Sequence, residues 1–176
     1  VRWDDLFEDL TGQAEHAERL QRDEEVSDRI RRDEATVALV DRVRAGGDLV
    51  LVLRDGSRVT GRLAGAGPDW FLLQEEWARR QVLVPAAAVS AVRGAPARSA
   101  APWGPVAARR TLLMAVRALA RAQEPVLVRA VALDVRGRIG RVGSDHLDVL
   151  VEVGRGAGEG PVSIPFAALL SVAELG

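Results

Sequence analysis

The sequence predicts a mainly β protein with some α-helix: two tandem small five-stranded barrels, each preceded by a helix, plus an acidic N-terminal helix. Three observations carry that reading. A glycine-marked block recurs at constant spacing, short alternating apolar runs are separated by Gly, Pro and Asp turns, and acids crowd the first 35 positions. The expected division is 1–34 for the acidic helix, 35–94 for the first helix-plus-barrel repeat, 95–104 for a linker and 105–176 for the second repeat. A length of 176 residues suits one domain or two small ones.

The repeat is the most specific feature. Gly61-Arg62-Leu63-Ala64-Gly65-Ala66-Gly67-Pro68-Asp69-Trp70-Phe71 lies against Gly137-Arg138-Ile139-Gly140-Arg141-Val142-Gly143-Ser144-Asp145-His146-Leu147 at an offset of 76, with Gly61, Arg62, Gly67 and Asp69 all recurring. The same offset brings Val37, Val40 and Val43 onto Leu113, Val116 and Leu119, and Val50-Leu51-Val52 onto Val126-Leu127-Val128. After a four-residue insertion, Val84-Pro85-Ala86 meets Ile164-Pro165-Phe166.

In the first copy a helix is expected over about 35–45, closed by Gly46-Gly47. Leu49 to Leu53 reads as a strand, and Asp55-Gly56 as a tight hairpin turn. Arg58 to Leu63 returns, and Gly65-Ala66-Gly67-Pro68 is expected to bend the chain into Trp70–Gln74. Gln81–Val84 and Ser90–Val92 complete the set. In the second copy the helix is expected from near Pro105 to about Gln123, since proline suits a first helical turn. The glycine-alternating stretch 154–160 reads as a long hairpin loop. It lacks the spacing of a phosphate cradle and leads to a strand rather than a helix N-terminus.

Residues 1–35 hold twelve acids and six Arg, a local net of −6, with no Pro. Trp3, Phe7, Leu10, Ala14 and Ala17 follow steps of four and three, an apolar stripe on a helix. Beyond Leu20 the stripe thins, so a solvated arm is the plain reading and one strand of a coiled coil the other.

Composition excludes whole classes of chemistry. The chain has no Cys, Lys, Tyr or Asn, so thiolate nucleophiles, disulfides, thiolate metal sites, Schiff bases and a phosphate-loop lysine cannot occur. Two histidines remain, His16 and His146, neither with a second ligand at helical spacing. Asp145 and Asp148 flank His146, and in a strand Asp145 is expected on the opposite face. No G-x-S-x-G elbow occurs. No catalytic residue, metal or cofactor is expected, nor a small-molecule substrate. No apolar run reaches the ~18 residues of a membrane helix, and Val1-Arg2-Trp3-Asp4-Asp5 puts acid where a targeting signal carries positive charge. The expectation is a cytoplasmic protein that does not engage a membrane.

A helix followed by five short bent strands resembles the Sm-like small barrel, itself of the SH3-like kind. Gly61-x-Leu63 with Asp69-x-Phe71 is similar to that family's first motif, and Val82-Leu83-Val84-Pro85 with Val89 and Val92 to its second. The resemblance covers roughly 36–94 and, more faintly, 112–174. A PRC-type barrel fits the second copy nearly as well, through Gly137-Arg138-Ile139-Gly140-Arg141-Val142 and Val162-Ser163-Ile164-Pro165. Where Sm-like proteins place a base-binding Asn, this chain has Leu73 and Val149, so the resemblance implies that the RNA pocket is gone. It further implies an exposed strand edge in each barrel, and such edges invite association.

Two surfaces stand out. Residues 79–141 contain twelve Arg against Glu124 and Asp134, and Arg110, Arg117 and Arg121 are expected on one helix face, with Arg138 and Arg141 following in the second copy. That face reads as solvated or as paired with the acidic helix; alternatively, it tracks a phosphate backbone. Trp70, Trp77 and Trp103 are the aromatics available for base stacking. Trp3, Phe7 and Leu10 form a docking stripe for a partner or a second copy, and Trp70, adjacent to Phe71, offers an exposed or interfacial aromatic. The expected function is a non-catalytic binding or assembly module that self-associates, as a dimer, through strand edges and helix faces. The alternative is an RNA- or DNA-binding regulator using the Arg-rich 105–123 helix, with the acidic helix competing for it.

Overall fold

Alternating apolar residues build ten antiparallel strands in the computed structural model, which describes residues 37–151 and 160–175. They are β1 (Asp48–Leu53), β2 (Arg58–Gly67), β3 (Trp70–Glu75), β4 (Arg80–Pro85), β5 (Val89–Arg93), β6 (Pro125–Ala130), β7 (Leu133–Val142), β8 (His146–Val151), β9 (Val162–Pro165) and β10 (Leu169–Glu174). Two α-helices precede the two sets, α1 (Leu39–Arg44) and α2 (Leu112–Ala122). The expected acidic helix, with Trp3, Phe7 and Leu10, lies outside the described residues, as does most of the glycine-alternating loop.

The strand order is β5-β1-β2-β3-β4-β10-β6-β7-β8-β9. Each half has the same internal order, its last strand returning to pair with its first. The mainly β character is as expected, but two tandem five-stranded barrels are not what is observed. One continuous sheet runs through both halves and is not closed, because β10 pairs with β4 as well as with β6. Its two edges are β5 and β9.

Two cores lie along this sheet. The first gathers Val43, Leu49, Leu51, Phe71, Leu73 and Val84; the second gathers Val116, Val128, Ile139, Leu147, Val149 and Ile164. Strand β10 serves both. A register shift between Leu169 and Ser171 lets Leu170 and Ala173 enter the first core while Leu169 and Val172 enter the second. All four are at most 2% exposed, and a fully buried leucine contributes about 1.5–3 kcal/mol. The two halves are therefore joined by shared burial as well as by main-chain hydrogen bonds.

The recurring pair Gly61 and Gly137 has one cause. A Cβ on Gly61 would overlap the Gln74 carbonyl oxygen, and a Cβ on Gly137 would overlap that of Leu150, its counterpart 76 residues on. Only glycine lets the bent strand cross its neighbour there. The same bend explains a difference from expectation. Gly65 and Gly67 do not end the strand, since β2 runs through to Gly67 with a register shift between Leu63 and Gly65.

The second helix also starts later than expected. Ala107–Arg109 forms a 3₁₀ turn, Arg110 leaves helical geometry at ψ 75, and Thr111 is extended at ψ 161. The helix begins at Leu112, whose N–H donates to Asp69 Oδ1 at 2.7 Å. An acceptor from the first repeat thus decides where the helix starts, overriding Pro105. The linker is held against α1: Arg42 Nε donates to the Pro96 carbonyl at 2.9 Å, and the Arg44 guanidinium lies 3.6 Å from the Trp103 ring centroid.

Candidate functional site

Strand β3 carries Trp70-Phe71-Leu72-Leu73, apolar on both faces. Phe71 and Leu73 fill the first core, while Trp70 and Leu72 pack on the other side against the second. Helix α2 packs on β7 and stands beside that outer side. Between them lies a groove of about 330 Å³ lined by Trp70, Leu72, Leu83, Arg110, Met114 and Leu119. A smaller recess continues from it past Val126 and Val172 to Glu174.

The groove is built rather than incidental. Trp70 Nε1–H donates to the Arg110 carbonyl at 2.7 Å, fixing the indole as one wall. A Cβ on Gly67 would collide with that indole and with the same carbonyl. The Gln81 N–H donates to Glu174 Oε2 at 2.8 Å, tying β4 to β10 beneath the floor. Met114 stands at the mouth, 54% exposed, a flexible side chain suited to adaptable apolar contact. Such a site can receive an apolar side chain and hold an anion at Arg110; it offers no nucleophile. Among the described residues no three metal-ligating side chains cluster.

The structure separates the expected basic residues. Arg117 and Arg121 are exposed on α2, whereas Arg110 precedes the helix and lines the groove, which corrects the single helical face expected for all three. Arg138 and Arg141 are exposed on β7, away from the groove lining. Among the described residues none of these five makes an ion pair. Trp70 is half-buried and serves the joint between the repeats. Trp103 is covered by Arg44, and Trp77 is fully exposed between β3 and β4. Leu73 and Val149 are fully buried.

His146 needs a correction. Asp145 sits in the bend before β8, not within the strand, so its carboxylate reaches His146 Nδ1 at 2.8 Å. That hydrogen bond holds the Asp145 carboxyl below the ordinary carboxylate range. Ser163 Oγ donates to Asp148 Oδ1 at 2.6 Å on the adjoining strands. At the far side of the joint, the Ser57 hydroxyl and then its backbone N–H hold Asp55 below the usual range, with Arg129 adding its charge.

Sequence reasoning did not find Leu72, Leu83, Met114 or the Asp69 cap. The signal for the first two was present. Trp70–Leu73 is a continuous apolar run, as two-sided burial requires, whereas His146-Leu147-Asp148-Val149 alternates. No known protein-family profile matches this chain, and no curated protein matches it in sequence. Among the described residues no helix is long and apolar enough to cross a membrane.

Proposed function

We propose that this chain is a non-catalytic binding and assembly module that self-associates, chiefly through its helix face. The observation that carries the reading is the joint β4·β10. There one repeat accepts the edge strand of the other, and α2, packed on β7, leaves an open apolar groove between itself and β3. A surface of this kind recognises protein: it combines main-chain edges, an aromatic wall, a methionine and a cation, and a helix laid in a groove is a common mode of such recognition. The small-barrel resemblance of each half fits the β4·β10 joint, since strand edges are where such barrels associate.

Sedimentation velocity of the full chain over a hundredfold concentration range tests it. Concentration-dependent association, with a dimer as its main product, is expected; a monomer throughout would overturn it. A second reading rests on a separate observation, the exposed Arg117 and Arg121 on one side of α2. It makes the chain a regulator that contacts nucleic-acid phosphates. Fluorescence anisotropy with labelled RNA and DNA decides it. Binding that falls steeply with salt and is lost in R117E/R121E favours that reading, and no binding at low salt removes it.

A further inference from the structure

We propose that the groove beneath α2 receives the N-terminal segment of a second copy of this chain, with Trp3 and Phe7 as anchors. The inference rests on the assembly reading and names the partner for that site. Three observations carry it. First, the groove wants apolar side chains beside a cation. Trp70, Leu72, Leu83 and Met114 line it, Arg110 stands at its rim, and Arg117 and Arg121 are exposed on the helix that forms its roof. Second, the chain itself contains a complementary segment. Residues 1–35 carry a net of −6 (twelve acids, six Arg), against +10 over 79–141 (twelve Arg, two acids).

Third, the pattern within that segment matches the pattern of the groove. Trp3, Phe7 and Leu10 form one stripe at helical spacing, and Asp4, Glu8 and Glu15, at steps of four and seven, lie along one flank of it. Asp5 and Asp9 fall behind the stripe, so its surroundings are acidic, and an apolar stripe bordered by acids is what an apolar groove bordered by Arg accepts. At helical rise the three anchors would span about 10 Å, within the ~16 Å length of α2. Two copies exchanging their segments satisfy both grooves at once, so the product is a closed, isologous dimer rather than a chain of molecules.

The test is the mass of the full-length protein by sedimentation equilibrium, at low and near-physiological salt. A dimer whose dissociation constant rises with salt is expected. W3A/F7A and, separately, M114E should each weaken it at least tenfold; Met114 is half-exposed, so its replacement leaves the fold intact. R117E/R121E should dissociate the dimer, and adding E8R/E15R to that variant should restore it. Restoration by the charge swap is a readout that damage to the fold would not produce. A swap that fails to restore association overturns the proposal. A dimer indifferent to W3A/F7A and M114E overturns it while leaving the assembly reading in place, whereas a monomer at every concentration overturns both.

Discussion

Where the two repeats meet, the outward residues of the pairing strands are apolar; at the two open ends, the same places are polar. On β10, Leu170 and Ala173 reach across into the first core, while their counterparts on β5 are Ser90 and Arg93, both exposed. On β3 and β4, Leu72 and Leu83 face the second core and α2; their counterparts on β8 and β9 are Asp148 and Ser163, bonded to each other. The strand order in the two halves is identical. What differs is whether the far face of each edge strand can tolerate losing water. Repeating the β4·β10 register between β9 of one chain and β5 of another would set Ser163 opposite Val92 and Val162 opposite Arg93. Asp148 and Arg93 would then be buried on opposite faces of the new ladder, neither neutralising the other, and isolated buried charges cost several kcal/mol each. Charged residues on edge strands are a known defence against unlimited pairing. The duplication has thus produced one joint built to close and two ends built to stay wet, so the proposed self-association falls to the helix face rather than to the ends.

Moving the open-end residues into the joint should have the largest effect. Leu170→Ser with Ala173→Arg removes a fully buried leucine and puts a guanidinium where two cores meet. Loss of about 5 kcal/mol or more is expected, on the order of the whole stability of a domain this size. Urea unfolding would report it as loss of the cooperative transition. A midpoint close to that of the unaltered chain would mean the joint is not what holds the halves together.

The reverse exchange comes next. Ser90→Leu and Arg93→Ala on β5, combined with Asp148→Leu on β8 and Ser163→Leu on β9, give both open ends the character of the joint. Head-to-tail addition should follow, because such a contact is heterologous and need not close on itself. Light scattering should show mass rising well beyond a dimer with concentration. If mass stays that of the unaltered protein, the polar residues are not what keeps the ends apart.

Much of this was legible beforehand, and the gaps have a physical pattern. Gly61, Gly67 and Asp69 recur in the second repeat because backbone crossings and turns constrain the residue directly, so the repeat and its strands could be read from single positions. The joint could not be read that way. It depends on Leu170 meeting a core formed some hundred residues earlier in the chain, and only the doubling of apolar residues in Leu169-Leu170 against Val89-Ser90 hints at it. The groove was half visible, in Trp70 and the Arg residues, but its floor at Leu83 and its mouth at Met114 follow from how α2 is seated. Two barrels and one continuous sheet cannot be told apart from the sequence, because five strands that close on themselves and five that hand their edge to a neighbour share one local pattern.

Asp69 and Asp145 give the smallest and most specific comparison, since they are the same residue of the repeat used in two ways. Asp69 Oδ1 accepts the first N–H of α2 at 2.7 Å, supplying the cap that Thr111 does not. Both main-chain carbonyls accept a turn N–H, from Ala86 and from Phe166, but among the described residues the Asp145 carboxylate pairs only with the exposed ring of His146. Asp69→Ala leaves a helix N-terminus without its acceptor and should lower stability by about 1 kcal/mol, a fall of roughly 2–4 °C in Tm for a chain of this size. Asp145→Ala should leave Tm within error at neutral pH, because an exposed pair in water contributes little. The sign of the pH dependence follows from the lowered Asp145 carboxyl: its small contribution is present above the ordinary carboxylate range and fades as pH falls through it. Paired thermal melts of the two variants decide the matter. Equal losses would mean that the position serves the turn in both repeats, and that the reach of Asp69 to α2 adds nothing to it.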